Sequence, residues 1–189
     1  QYAFADQYYQ SAAGASSEND MYLARANFVF LDNTWVPQSL GTNCYKQEQK
    51  RTYYEPPVAD LLLQCNVSFK VFAEGYDFIK THVKQGHYCW PFHYESCDIA
   101  YQYYASLADN PQVMFDLNDY FTALDTKTLP AVSFIRSVGI RSEHPGHLLA
   151  VGQAFANKII HALLKNDHYV NNTLVLIVPD ESGGFFDHY

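Results

Sequence analysis

The residues of this 189-residue chain best equipped for chemistry close an apolar run, in TLVLIVPDESGGFFDHY at positions 173–189. Asp180 and Glu181 are adjacent carboxylates at the end of a stretch that reads as a strand. In open parallel sheets, the loops at the carboxyl ends of the strands converge on a crevice. Two carboxylates there repel each other unless a cation lies beside them, and hard oxygen donors of this kind suit a divalent metal. Gly183 and Gly184 let the chain turn sharply beside whatever is bound. The same residues also compose an ordinary solvated turn, and spacing alone leaves both readings open.

A second strand end lies in LPAVSFIRSVGIRSEHPGH, where His144 follows the apolar run by a short loop. A histidine so placed can donate to a phosphate oxygen or protonate a leaving group, and its plain alternative is an exposed loop residue. Near the start, GASSENDMYLARANF sets Ser16 and Ser17 ahead of a helical stretch, with Glu18 and Asp20 in its first turn. Such a serine is an N-cap, or an oxygen nucleophile stabilised by the free N–H groups of the helix end. In QGHYCWPFHYESC, His87 and His93 flank an aromatic, cysteine-rich loop that either walls a pocket or is a surface loop.

The elements that must position these residues alternate in type. PPVADLLLQCNVSFKVFAEG predicts a helix entered after Pro57, a turn at Cys65 and Asn66, and a strand over Val67 to Ala73. ESCDIAYQYYASLADNP predicts a helix stopped before Pro111, and LNDYFTALDTKT a short helix leading to the apolar run LPAVSFIRSV. Between Gly146 and Asn166, Leu148, Val151, Phe155, Ile159 and Leu163 recur three or four apart, which predicts a helix with one buried stripe. TLVLIVP, apolar throughout, predicts a strand covered on both faces. Strand, helix, strand in this order gives an α/β class with a parallel sheet. Asn33 to Pro57, polar and aperiodic, reads as a long surface excursion tied down by Cys44.

The net charge of −8, from 20 acidic and 12 basic residues, repels a phosphate backbone and argues against a nucleic-acid partner. No apolar stretch reaches the roughly 20 residues a membrane helix needs. The four cysteines form no CxxC pair, so disulfides are expected rather than a zinc site, and three pairings are possible. The short Cys89–Cys97 loop is sterically reasonable, which leaves Cys44 with Cys65. Sequons at Asn66 and Asn171 agree with an oxidising, secreted or periplasmic location.

Taken together, ADQYYQSAAGASSENDMYL, VADLLLQCNVSFKVFAEGY, TLPAVSFIRSVGIRSEHPG and TLVLIVPDESGGFFDHY resemble, in order, four segments of the phosphoesterase family of acid phosphatases and bacterial-type phospholipases C. That family falls within the alkaline-phosphatase-like superfamily. The resemblance implies a mostly parallel sheet with helices on both faces, and one divalent metal ion held by Asp180, Glu181 and Ser16. It also implies Ser16 as nucleophile and His144 at the phosphate. His93 falls where the family places two adjacent histidines, with Tyr94 in the second position, and His188, beside Asp187, falls at the edge of the site. The implied activity is hydrolysis of phosphate esters through a phosphoserine. The serine at position 16 is closer to the acid-phosphatase side, with phospholipid head-group cleavage as the alternative. A secreted binding protein that kept the scaffold without catalysis is the reading from another class. Family members open with a Glu- and Asn-bearing segment that has no counterpart here. Residues 1–189 are therefore expected to be one domain, an internal fragment lacking the N-terminal core strand and its metal ligands.

Overall fold

The computed structural model describes residues 3–27, 37–44, 50–82 and 94–185. In chain order the regular elements are α1 (Ser16–Arg25), α2 (Val58–Gln64), β1 (Phe69–Ala73), α3 (Tyr76–His82), β2 (Met114–Asp116), α4 (Leu117–Asp125), β3 (Val132–Arg136) and α5 (Leu149–Leu164). The three strands form a parallel sheet in the order β2, β1, β3. Its register sets Val71 beside Met114 and Phe134, and Phe72 beside Phe115 and Ile135. Successive side chains in a strand point to opposite faces, so these neighbours share a face.

That alternation divides the core. Phe69, Val71, Ala73 and Met114 pack with Met21, Ala24, Ala59 and the buried tyrosines 76, 101, 103 and 104 on one face. Phe72 packs on the other with Leu117, Tyr120 and Leu124 of α4 and Ile159 and Leu163 of α5. β1 is buried nearly throughout, as a central parallel strand covered by helices on both sides should be. The α/β class with helices on both faces is the observed architecture.

Local signals account for most boundaries. α2 begins directly after Pro57 and ends at Cys65, and Asn66 takes the left-handed conformation (φ 57°) that Asn tolerates better than most residues. Asp116 caps α4, accepting from the Asn118 N–H at 3.0 Å while Asp119 accepts from the Asp116 N–H at 3.1 Å. The stripe on α5 turns Ile159 and Leu163 inward, but Leu148 lies just outside the helix and is exposed.

Five expectations need correction. The run 173–179 forms no ladder; Leu174, Leu176 and Ile177 are 81%, 74% and 71% exposed. An apolar run becomes a buried strand only between neighbours, and among the described residues it has none. The segment ESCDIAYQYYASLADNP is not one α-helix but two short 3-10 turns, Ser96–Asp98 and Ala100–Tyr103. Ile99 through Tyr104 are all buried, so this segment has no solvent face of the kind an amphipathic helix would need. Ser16 and Ser17 are inside α1, and Ala15 occupies the cap without a side-chain bond.

The excursion Asn33 to Pro57 is also not wholly superficial. The Leu40 and Gly41 N–H groups both donate to the Gln102 carbonyl at 3.0 Å, and Ser39 and Cys44 are fully buried. Thr42, Tyr76 and Gln102 all donate to the Asp109 carboxylate, which pins this stretch to the core. Finally, the pairing of Cys89 with Cys97 and Cys44 with Cys65 is not formed. Cys65 and Cys97 are free thiols, and Cys44 is disulfide-bonded.

Candidate active site

α1 starts the site. Its first residue, Ser16, is half-buried where the helix's leading N–H groups leave partial positive charge. The loop before it is tight: a Cβ on Gly14 would lie 1.5 Å from the Glu18 Oε2 atom, and Glu18 is itself 1% exposed. Glycine is therefore required two residues before Ser16 unless the buried Glu18 carboxylate moves.

The other half is the turn 180–184. The Asp180 Oδ1 atom accepts from the Glu181 N–H at 3.0 Å, and Gly183 and Gly184 take positive φ of 61° and 73°. Those glycines bend the chain so that Glu181 faces α1. The Ser16 hydroxyl donates to Glu181 Oε1 at 3.2 Å across 165 residues of sequence. Asp180 lies close enough to Asp20 and Tyr8 to act on both. Burial first, then the charges of Asp180 and Asp20, pushes the Tyr8 hydroxyl pKa up.

His144 is exposed on the loop that meets this turn. A Cβ on Gly183 would come within 3.3 Å of the Pro145 Cγ atom, so the two loops are in contact. The His144 Nδ1–H donates to the Pro145 carbonyl at 2.9 Å, which leaves Nε2 available to a ligand. The structure does not bring this ring into hydrogen bonding with Ser16 or Glu181; its bonds stay within its own loop. Gly152 of α5 supports that loop from behind, because a Cβ there would lie 2.2 Å from the Glu143 Cγ atom. His87, His93, Asp187 and His188 lie outside the described residues.

Beneath the site is a charged group that the sequence did not single out. Arg136, the last residue of β3, pairs with Asp20 at 3.7 Å and with Asp98 at 3.4 Å. A charged residue at the carboxyl end of an apolar parallel strand was the available signal. Desolvation pulls the guanidinium down, but Asp20, Asp98 and Asp180 outweigh it and keep Arg136 charged. Asp20 is 2% exposed, and burial pushes its carboxyl up to about 7 despite Arg136. One guanidinium shared among several carboxylates cannot offset the full desolvation of the most buried one. Glu95 is likewise raised, by burial and then by Asp98, against the opposing pull of His144 and Arg136.

Among the described residues, no group of three or more His, Cys, Asp or Glu side chains is arranged to hold a metal ion. The donors that do meet, the Ser16 hydroxyl and the Glu181 carboxylate with Asp180 next in the chain, are all oxygens. They fit a hard divalent cation in kind, and a full shell of six or so ligands would need further donors.

Comparison with known proteins bears on this geometry. The model of the Phosphoesterase family matches residues 1–189. The chain belongs to the Phosphoesterase family. Among curated relatives it is 23% identical to the non-specific phospholipase C6 of Arabidopsis thaliana over 190 residues, covering 100% of this chain and 32% of the relative. It is 33% identical to a non-hemolytic phospholipase C of Pseudomonas aeruginosa over 93 residues, which is 46% of this chain and 13% of that protein. Phospholipase C A of Mycobacterium tuberculosis is 33% identical over 70 residues, 37% of this chain and 14% of that protein. The chain thus spans about a third of the plant relative's length or less of each protein it matches. No described helix is long and apolar enough to cross a membrane.

Proposed function

We propose that this member of the Phosphoesterase family carries the nucleophile and part of the metal site of a phosphoester hydrolase, with Ser16 attacking phosphorus. The observation that carries the reading is the 3.2 Å contact between Ser16 Oγ and Glu181 Oε1, two residues remote in sequence. The Glu181 carboxylate orients the hydroxyl and draws its proton, and the leading N–H groups of α1 stabilise the oxygen as it gains negative charge. The Ser16 Oγ–P bond forms as the P–O bond to the leaving group breaks, and His144, when both ring nitrogens carry protons, gives the Nε2 proton to the departing oxygen or donates it in a hydrogen bond to a non-bridging one. Water then releases the phosphoryl group from Ser16. Asp180 and Glu181, with Ser16, would hold one divalent cation. When bound, such an ion lowers the serine pKa and neutralises charge on the phosphoryl oxygens.

Two substrate classes are consistent with this chemistry. A serine at position 16 supports a phosphomonoester, and the phospholipase C relatives support a phospholipid diester. In the second case the Ser16 adduct retains the head group and diacylglycerol leaves. The test is turnover of p-nitrophenyl phosphate and of phosphatidylcholine vesicles by the full-length protein. It is run beside Ser16→Ala and after chelation and return of divalent metal. Loss of both activities in Ser16→Ala supports the assignment; unchanged turnover removes it. An extracytoplasmic location is supported by the disulfide at Cys44 and by the exposure of both sequon asparagines, Asn66 and Asn171.

A further inference from the structure

Ser16 and Glu181 sit on segments that share no regular element, yet reaction requires their separation to be held to a fraction of an ångström. Gln10 and, behind it, Asn19 build a hydrogen-bonded link between those segments. Asn19, in the first turn of α1, is 2% exposed and turns back onto the loop before Ser16. Its Oδ1 atom accepts from the Ala12 N–H at 2.9 Å. Its Nδ2 group donates to the carbonyls of Ala12, Gly14 and Ala15 at 3.2, 3.4 and 3.3 Å. Gln10 continues the chain of bonds outward. Its Nε2 group donates to the same Ala12 carbonyl at 2.7 Å, and its Oε1 atom accepts from the Ser182 N–H at 3.1 Å, the residue after Glu181.

The Ala12 peptide is therefore a junction. Both lone pairs of its carbonyl are used, one toward each half of the site, and its N–H is tied to Asn19. A tight loop alone would need only the Asn19 bonds; the Gln10 bond to Ser182 serves no local turn, because it spans 172 residues. We infer that Asn19 and Gln10 are positioning residues, a side-chain brace that sets the distance from the Ser16 hydroxyl to the Glu181 carboxylate. The inference rests on the reading of Ser16 as nucleophile.

Displacing a nucleophile by about 1 Å costs on the order of a hundredfold in rate. In the full-length protein, Asn19→Ala is expected to lower kcat by about that factor, and Gln10→Ala by roughly tenfold to a hundredfold, with KM changed little. Gln10→Glu retains an oxygen for the Ser182 N–H but sets a carboxylate against the Ala12 carbonyl, and because the brace needs both ends it is expected to recover little of the Gln10→Ala loss. The double variant is expected to be little worse than Asn19→Ala, because both side chains act through one distance. Gln10 is half-buried on an irregular segment, so Gln10→Ala and Gln10→Glu report even if Asn19→Ala does not fold. Unchanged kcat in Gln10→Ala, a loss confined to KM, or wild-type kcat in Gln10→Glu would overturn the inference. Ser16→Ala run alongside separates the two levels. If it turns over normally, the nucleophile reading falls and the brace with it. If it is inactive while the Gln10 variants match wild type, the brace alone falls.

Discussion

Replacing Asp20 by Asn should make the protein more resistant to unfolding at neutral pH, although it removes one partner of an ion pair. Asp20 is 2% exposed and its carboxyl is raised from 3.8 to about 7, by burial first, against the pull of Arg136 and with the push of Asp98 and Asp180. Below pH about 4 the group is protonated in both folded and unfolded chains and costs nothing. As pH rises past the unfolded value, the unfolded chain releases its proton while the folded one keeps it, so the unfolded state binds fewer protons and stability falls with pH. The fall runs at about 1.4 kcal/mol per pH unit and stops near pH 7, where the folded group also ionises. Over roughly three units it amounts to about 4 kcal/mol as an order of magnitude. Asn has the shape of the neutral acid and does not titrate. The gap in unfolding free energy between Asp20→Asn and wild type should therefore be near zero at pH 4 and widen in favour of the variant up to pH 7, then level off. Urea unfolding followed by circular dichroism at pH 4, 5, 6, 7 and 8 measures it, and the carboxylates remote from Asp20 cancel in the difference. If the variant instead loses ground to wild type as pH rises, the 3.7 Å pair with Arg136 outweighs desolvation and the reasoning fails.

Other substitutions test other joints. Gly152→Ala sets a Cβ 2.2 Å from Glu143 Cγ and 3.1 Å from the Arg141 carbonyl, so it should displace the His144 loop, cost about 1–3 kcal/mol by overpacking, and lower turnover. Thermal unfolding and kcat check both parts, and wild-type values in each would show that the loop yields freely. Asp109→Ala strips the acceptor from Thr42, Tyr76 and Gln102 and should destabilise the fold by about 2–4 kcal/mol in urea titration; a loss under about 0.5 kcal/mol would mean that water replaces the carboxylate. Glu181→Gln keeps an oxygen for the Ser16 hydroxyl but removes charge, so turnover should fall sharply with little change in melting temperature. Unaltered kcat would exclude the carboxylate from the chemistry.

How much of this was legible in the sequence depends on whether local pattern or distant partners decide each element. β1 and α5 were readable because Phe69–Ala73 is apolar or aromatic at every position but Lys70 and the α5 stripe keeps its spacing. The 3-10 turns at 96–103 were not, since Tyr101, Tyr103 and Tyr104 enter the core together and no exposed face remains to mark a period. The run 173–179 has strand composition, yet strand formation depends on a neighbour that composition cannot supply. Asp180 and Glu181 drew notice as paired carboxylates after an apolar run and Ser16 as one of two serines ahead of a helix, and the resemblance to the family selected them. Their meeting was expected from that resemblance alone, because 165 residues separate the two sides and nothing local encodes the closure. Asn19 and Gln10 carried no signal beyond being amides, and their importance is a matter of which backbone groups the fold brings within reach.

The central claim is that Ser16 makes the bond to phosphorus. Rapid acid quench of the full-length protein during turnover of a phosphomonoester, followed by mass analysis of the peptide spanning residues 14–25, tests it directly. The account predicts one phosphoryl group on Ser16, formed and discharged at rates compatible with kcat and absent from Ser16→Ala. A phosphoryl group on His144, or full turnover with no covalent adduct at Ser16, would contradict it.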